Sequence, residues 1–194
     1  MDRVSFGSNI NVLPYDKFMM KYFYTPGIKV AEGDEIPVID KFVGTYGLSC
    51  CVGGCVNNSE KALAFHYSSA IDGVSPYIES LGKGLRGLVA GGDDETPSIV
   101  SFFVDIFKKN NIDFSVIAED LEVYKGDKTG AVTNFVYSKI DDTYNLGIRT
   151  VETLQDLFKT MKTILISDND RLFFDSKEVT KSELQKALES RGKL

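Results

Sequence analysis

The sequence contains one histidine, no tryptophan, five prolines and three cysteines in 194 residues. Each scarcity excludes something. With a single imidazole, any chemistry that needs a histidine has to run through His66. The cysteines, Cys50, Cys51 and Cys55, lie within six positions of one another. Neighbouring cysteines do not satisfy disulfide geometry easily and their number is odd, so the cluster does not read as a disulfide framework. It reads as a set of thiols from a reducing compartment. No apolar run approaches the ~20 residues that a membrane-spanning helix needs. The opening segment MDRVSFGSNINVLPYDK lacks the apolar stretch of a classical signal peptide, so any export is expected to use another signal. Basic residues are not in excess: 28 acids against 22 bases give a net charge of -6, which disfavours nonspecific binding to nucleic acid or to anionic membrane. No G-x-x-x-x-G-K-[ST] phosphate loop occurs.

What is present is an ordinary globular composition, 43% hydrophobic and 26% charged. At ~150 residues per domain, a single domain over residues 1–194 is expected. Strand signals fall at 18–24 and 28–31 around Pro26-Gly27, then at 42–46, 50–56, 61–67, 87–91 and 112–118. Two further hairpins are expected, one from 121–125 and 130–138, the other from 163–167 and 171–175 about Asp168-Asn169-Asp170. Helices are expected from an N-cap at Ser75 with Pro76 behind it, and from Thr96-Pro97, where Ile99, Val100, Phe103, Ile106 and Phe107 keep helical spacing. Two more follow, one capped by Thr150 with Leu154, Leu157, Phe158 and Met161 inward, the last opened by a Thr180–Glu183 capping box. The expected fold class is α+β, a strand-rich, β-sandwich-like core with flanking helices.

Chemistry concentrates at Cys51 and His66, fifteen positions apart on neighbouring strands joined by an Asn57-Asn58 turn. A thiol attacks as its thiolate, a nearby imidazole favours that form, and the imidazolium can then protonate a leaving amine. Strand alternation puts Cys50 on the opposite face, buried and inert, and Cys55 on the face of Cys51 but deeper. Two other readings stand beside this one. The thiols are small buried hydrophobes and His66 is a structural residue. Or Cys50, Cys51, Cys55 and His66 ligate zinc, although their spacing does not suit paired loop ligands. The acidic clusters Asp93-Asp94-Glu95 and Asp168-Asn169-Asp170 read as a helix approach and a turn, and Phe102, Phe103 and Phe107 read as core.

The stretch Thr45-Tyr-Gly-Leu-Ser-Cys-Cys-Val-Gly53 resembles the T-x-G-L-x-x-C-V-G segment of the chemoreceptor glutamine deamidase family CheD. Its Leu48-Ser49-Cys50-Cys51 run is similar to the L-S-G-C signature of the cytotoxic necrotizing factor and Burkholderia lethal factor toxins, which share that fold and a Cys–His dyad. Leu63-Ala64-Phe65-His66 matches the strand that carries the family histidine. Gly91-Gly92, a helix and then Ile117-Ala118-Glu119-Asp120 follow in the family's order. Position 50 departs from the pattern: it is cysteine where the toxins have glycine and CheD usually has serine. The first 40 and last 50 residues match nothing in these families.

The resemblance implies a protein-glutamine deamidase with Cys51 as nucleophile, His66 as base and Thr45 orienting the histidine through its backbone carbonyl. It implies no cofactor and no metal. The partner is a protein substrate presenting a glutamine, with no nucleic acid and no membrane involved, and the enzyme is expected to be a monomer. The Leu-Ser-x-Cys motif and the short Cys–His interval lean toward the toxin branch. That implies an effector made in a bacterial cytoplasm and active in a host cytosol, on a translation-initiation helicase or a Rho-type GTPase, with translation inhibition or another virulence effect as the outcome. The alternatives are a chemotaxis deamidase and, from another class, a noncatalytic binding domain on the same scaffold.

Overall fold

The structure is a computed structural model describing residues 8–92, 97–119 and 132–191. The expected strand at 121–125, Asp93-Asp94-Glu95 and the Thr96 cap lie outside the described residues. Among the described residues there are thirteen strands and five helices. Seven strands form a first sheet: β13 (Lys177–Glu178), β12 (Arg171–Phe174), β1 (Asn9–Leu13), β10 (Thr143–Ile148), β9 (Thr133–Ser138), β4 (Phe42–Leu48) and β2 (Lys29–Val30), in that spatial order. Six form a second: β11 (Met161–Leu165), β8 (Asp113–Glu119), β7 (Arg86–Gly91), β5 (Val52–Asn57), β6 (Ala62–Tyr67) and β3 (Val38–Asp40). Both sheets mix parallel and antiparallel pairs.

The two sheets face each other across one apolar layer. Val43 and Leu48 of β4 and Phe135 of β9 share it with Cys55, Ala62, Ala64, Leu88 and Ala90 of the second sheet. The second sheet is buried on its other face as well. There Val52, Val56, Leu63, Phe65 and Val89 pack under α2 (Ser75–Leu81) and α3 (Pro97–Lys109), whose Ile78, Phe103 and Phe107 are fully or almost fully buried. Every residue of β5 and β6 is therefore buried, which explains their continuous run of small and apolar side chains. The outer face of the first sheet is covered by α1 (Tyr15–Tyr22), whose Phe18 and Tyr22 sit on Leu13 and Val136. This α+β sandwich with flanking helices is the fold class expected from the sequence.

A buried polar cluster pins the sheets in register. Asn57 Nδ2 donates to Tyr137 Oη at 2.9 Å, Tyr144 donates to Asn57 Oδ1, and Tyr137 donates to Asp142 Oδ1 at 2.6 Å. Arg86 closes the chain on Asp142 Oδ2 at 2.6 Å. Each member is satisfied, so the cluster specifies the alignment of β5 against β9 and β10 without leaving an orphaned polar atom.

Local expectations fared unevenly. Residues 18–24 are not a strand: Phe18 and Tyr22, four apart, make one buried helical stripe, and the chain bends out of α1 at Phe23. Residues 163–167 and 171–175 are not a hairpin, because β11 joins the second sheet and β12 the first. The Asp168–Asp170 turn carries the chain between sheets. Asp170 is buried there, accepting from Ser115 Oγ at 2.6 Å and Ser8 N at 2.9 Å. Ser75 is the first helical residue of α2 and not its cap; the backbone N–H groups of Val74 and Ser75 are satisfied by Asp72 Oδ1. Helix α4 (Leu154–Thr160) is capped by Thr153 in a capping box with Asp156, not by Thr150. The Thr180–Glu183 box opens α5 (Lys181–Arg191) as expected.

Candidate functional site

The site lies where β4 of one sheet faces β6 of the other. Alternation along β4 turns Val43 and Thr45 into the layer between the sheets and Phe42 and Tyr46 outward onto the α1 face. Alternation along β6 turns Ala62, Ala64 and His66 inward and Leu63, Phe65 and Tyr67 toward the helices. Thr45 and His66 thus meet from opposite sheets, with Thr45 Oγ1 2.8 Å from His66 Nδ1. Both are buried, at 0% and 8% exposure.

The hydrogen bonding fixes the tautomer. Thr45 Oγ1 also donates its one proton to the carbonyl oxygen of Ala31 at 2.8 Å. The hydroxyl can then only accept from the imidazole, so Nδ1 carries a proton and Nε2 is the basic nitrogen. Thr45 acts here through its side chain, which corrects the expectation of a backbone carbonyl contact. Burial holds the imidazole below the ordinary histidine value, and the Asp34 carboxylate offsets this in part. A neutral ring with Nε2 available is the form suited to a general base.

Cys51 comes next to the same ladder. His66 pairs with Gly53 across the β5–β6 ladder, and Cys51 is two positions before Gly53. It packs, half-buried, against the layer between the sheets, as Cys55 does further along. The β5–β6 ladder itself ends at the Val52–Tyr67 pair, one residue after Cys51. Residues 49–51 form a bend ahead of β5 and are not yet in the strand. For that reason Cys50 is exposed and not buried on an opposite strand face. Cys55 is fully buried, and burial pushes its thiol well above the ordinary range. The three thiols thus lie at three depths, and among the described residues no group of three or more His, Cys, Asp or Glu side chains could hold a metal ion.

Two backbone features hold the bend. Between Thr45 and Leu48 the β4–β9 register slips by one residue, a bulge with Gly47 in the left-handed region at φ 77°. The Gly47 N–H donates to Asn134 Oδ1 of β9 at 2.7 Å. On the other side Gly92 N donates to the Cys51 carbonyl at 2.8 Å, with Gly91 and Gly92 both at positive φ. A Cβ on Gly91 would fall 2.7 Å from that carbonyl oxygen, so this close approach requires glycine.

The structure brings Thr45 and His66 into contact, and Cys51, whose carbonyl accepts from Gly92 N, packs against the same layer between the sheets. Sequence reasoning missed Ala31, Asp34 and Asn134. Asn134 sits within a strand-like run and Asp34 in a Gly-Asp turn, and neither carries a local sign of partners 87 and 34 residues away. No family model matches the chain, and no curated protein matches it.

Proposed function

We propose that this protein is a cysteine-dependent protein-glutamine deamidase. The observation that carries the reading is the 2.8 Å contact between Thr45 Oγ1 and His66 Nδ1, which leaves Nε2 as the basic nitrogen of a ring turned into the layer that Cys51 also packs against. Nε2 removes the thiol proton and Sγ attacks the side-chain amide carbon of a substrate glutamine. Peptide N–H groups of the 49–51 bend stabilise the resulting oxyanion. The imidazolium returns its proton to the amide nitrogen, the C–N bond breaks and ammonia leaves, giving a thioester. Nε2 then deprotonates a water that attacks the thioester carbonyl; the C–S bond breaks, the thiol is regenerated and glutamate is released. The net reaction consumes one water and exchanges a neutral amide for a carboxylate, a change that alters the target electrostatically.

The likeness of Leu48-Ser49-Cys50-Cys51 to the toxin signature, with the short Cys51–His66 interval, favours a host protein as substrate, of the translation-initiation helicase or Rho GTPase type. Incubating purified protein with a eukaryotic lysate and measuring ammonia tests the reading. Wild type releases ammonia and Cys51→Ala does not; equal release from both refutes it.

A further inference from the structure

Residues 31–37 leave the first sheet after β2 and enter the second at β3, so they cross the sandwich over Thr45 and His66. Along the β3–β6 ladder Val38 pairs with Ala64 and Ile39 with Leu63. The same register continued outward sets residue 34 opposite Ser68. Pro37 has no N–H and the ladder ends at Val38. The edge of β6 is then closed in another way. Asp34 N donates to the His66 carbonyl at 2.8 Å. Its carboxylate accepts from Ser68 N at 2.8 Å and from Ser68 Oγ at 2.5 Å. Asp34 adopts φ 56°, a conformation aspartate tolerates better than most residues. The neighbouring Gly33 backbone lies along the imidazole, close enough that a Cβ there would be 3.7 Å from Nε2.

We propose that Asp34 is a positioning residue for His66, clasping its backbone from the edge of β6 and placing a negative charge beside an imidazole whose other partner is neutral. Thr45 can orient the ring but cannot offset the charge it acquires on taking a proton. The groups that face the ring are few. From β4 comes the Thr45 hydroxyl and from the crossing segment Asp34, with Glu32 and Glu35 exposed in the same stretch, while the Cys51 thiol packs against the same inter-sheet layer. The electrostatic influence of Asp34 on the ring favours the imidazolium against the opposing effect of burial. Asp34 itself is held ionised by its hydrogen bonds from Ser68.

What His66 is positioned for rests on the deamidase reading, but the test does not. Because the chain has one histidine, its imidazole can be titrated by NMR without interference or substrate. Asp34→Asn keeps an acceptor for Ser68 and suits the left-handed backbone, while removing the charge. Asp34→Gly suits the same backbone and removes the carboxylate altogether. Both variants should retain the Nδ1–H tautomer and lower the His66 titration midpoint reproducibly below that of wild type, a small effect because the carboxylate is exposed to solvent. Glu35→Gln should leave the midpoint within error of wild type. A midpoint unchanged in both Asp34 variants, or moved as far by Glu35→Gln, overturns the proposal. Loss of ammonia release with an intact Asp34 effect would instead refute the deamidase reading alone.

Discussion

Replacing Thr45 by valine separates the hydroxyl from the shape of the side chain. The variant removes both the acceptor for Nδ1–H and the donor to the Ala31 carbonyl, in a site with no exposure at Thr45. Orphaning buried polar groups costs about 1–3 kcal/mol each, so the pair should cost roughly 2–4 kcal/mol once partial relaxation is allowed. For a domain of this size, at about 2–4 °C per kcal/mol, the melting temperature should fall by roughly 5–15 °C. Thr45→Ser keeps both hydrogen bonds and loses one methyl, a cost of about 1 kcal/mol. The ring should respond as well. Without Thr45 Oγ1 nothing holds the proton on Nδ1, and a long-range nitrogen–proton correlation spectrum should show the Nε2–H tautomer gaining population in Thr45→Val but not in Thr45→Ser. A hydrogen bond of 1–3 kcal/mol spent on orienting a base corresponds to a rate loss of about 5- to 150-fold. A valine variant with wild-type stability and an unchanged Nδ1–H tautomer would refute the hydrogen-bonding scheme.

Three other predictions follow from the same geometry. His66 has a folded-state pKa below its ordinary value, so the unfolded chain binds more protons as pH falls through about 6.5; stability should therefore decline on acidification from pH 7, and denaturant titrations should show a smaller decline in His66→Gln. In timed alkylation read by peptide mapping, Cys55 should resist while Cys50 and Cys51 label, and His66→Gln should slow Cys51 without slowing Cys50. Asn134→Ala should remove the bond to the exposed Gly47 N–H in the β4 bulge, costing about 0.5–1.5 kcal/mol by chemical denaturation and raising amide exchange in residues 47–51.

The parts of the fold legible in the sequence were those set by local chemistry. The β5–β6 hairpin followed from Asn57-Asn58 between two apolar runs, and Asn58 does close the turn, accepting from Glu60 N and Lys61 N. Helix α3 followed from its 3.6-residue stripe, and Phe103 and Phe107 are core. The errors came where local signals were ambiguous or partners were remote. FMMKYFY is rich in β-prone residues, yet only Phe18 and Tyr22 are buried, a helical interval that a run of aromatics obscures. The Asp168–Asp170 turn looked like a hairpin tip because a turn does not reveal which sheet each strand will join. Cys51 and His66 are legible as a candidate pair because a single hairpin joins them. Thr45 was placed beside them by resemblance, but the use of its hydroxyl depends on the Ala31 carbonyl, fourteen residues away. Asp34 and Asn134 reach the site only through sheet register and crossing connections, which no short pattern encodes.

The central claim is that Cys51 attacks a glutamine side chain with His66 as its base. Its most direct measurement is quantitative peptide mass spectrometry of a eukaryotic lysate treated with wild type, Cys51→Ala, His66→Ala or Cys50→Ala, searching for glutamines converted to glutamate. One or a few specific glutamines should convert with wild type and Cys50→Ala, and none with Cys51→Ala or His66→Ala. Conversion that survives Cys51→Ala, or that disappears only with Cys50→Ala, would contradict the account.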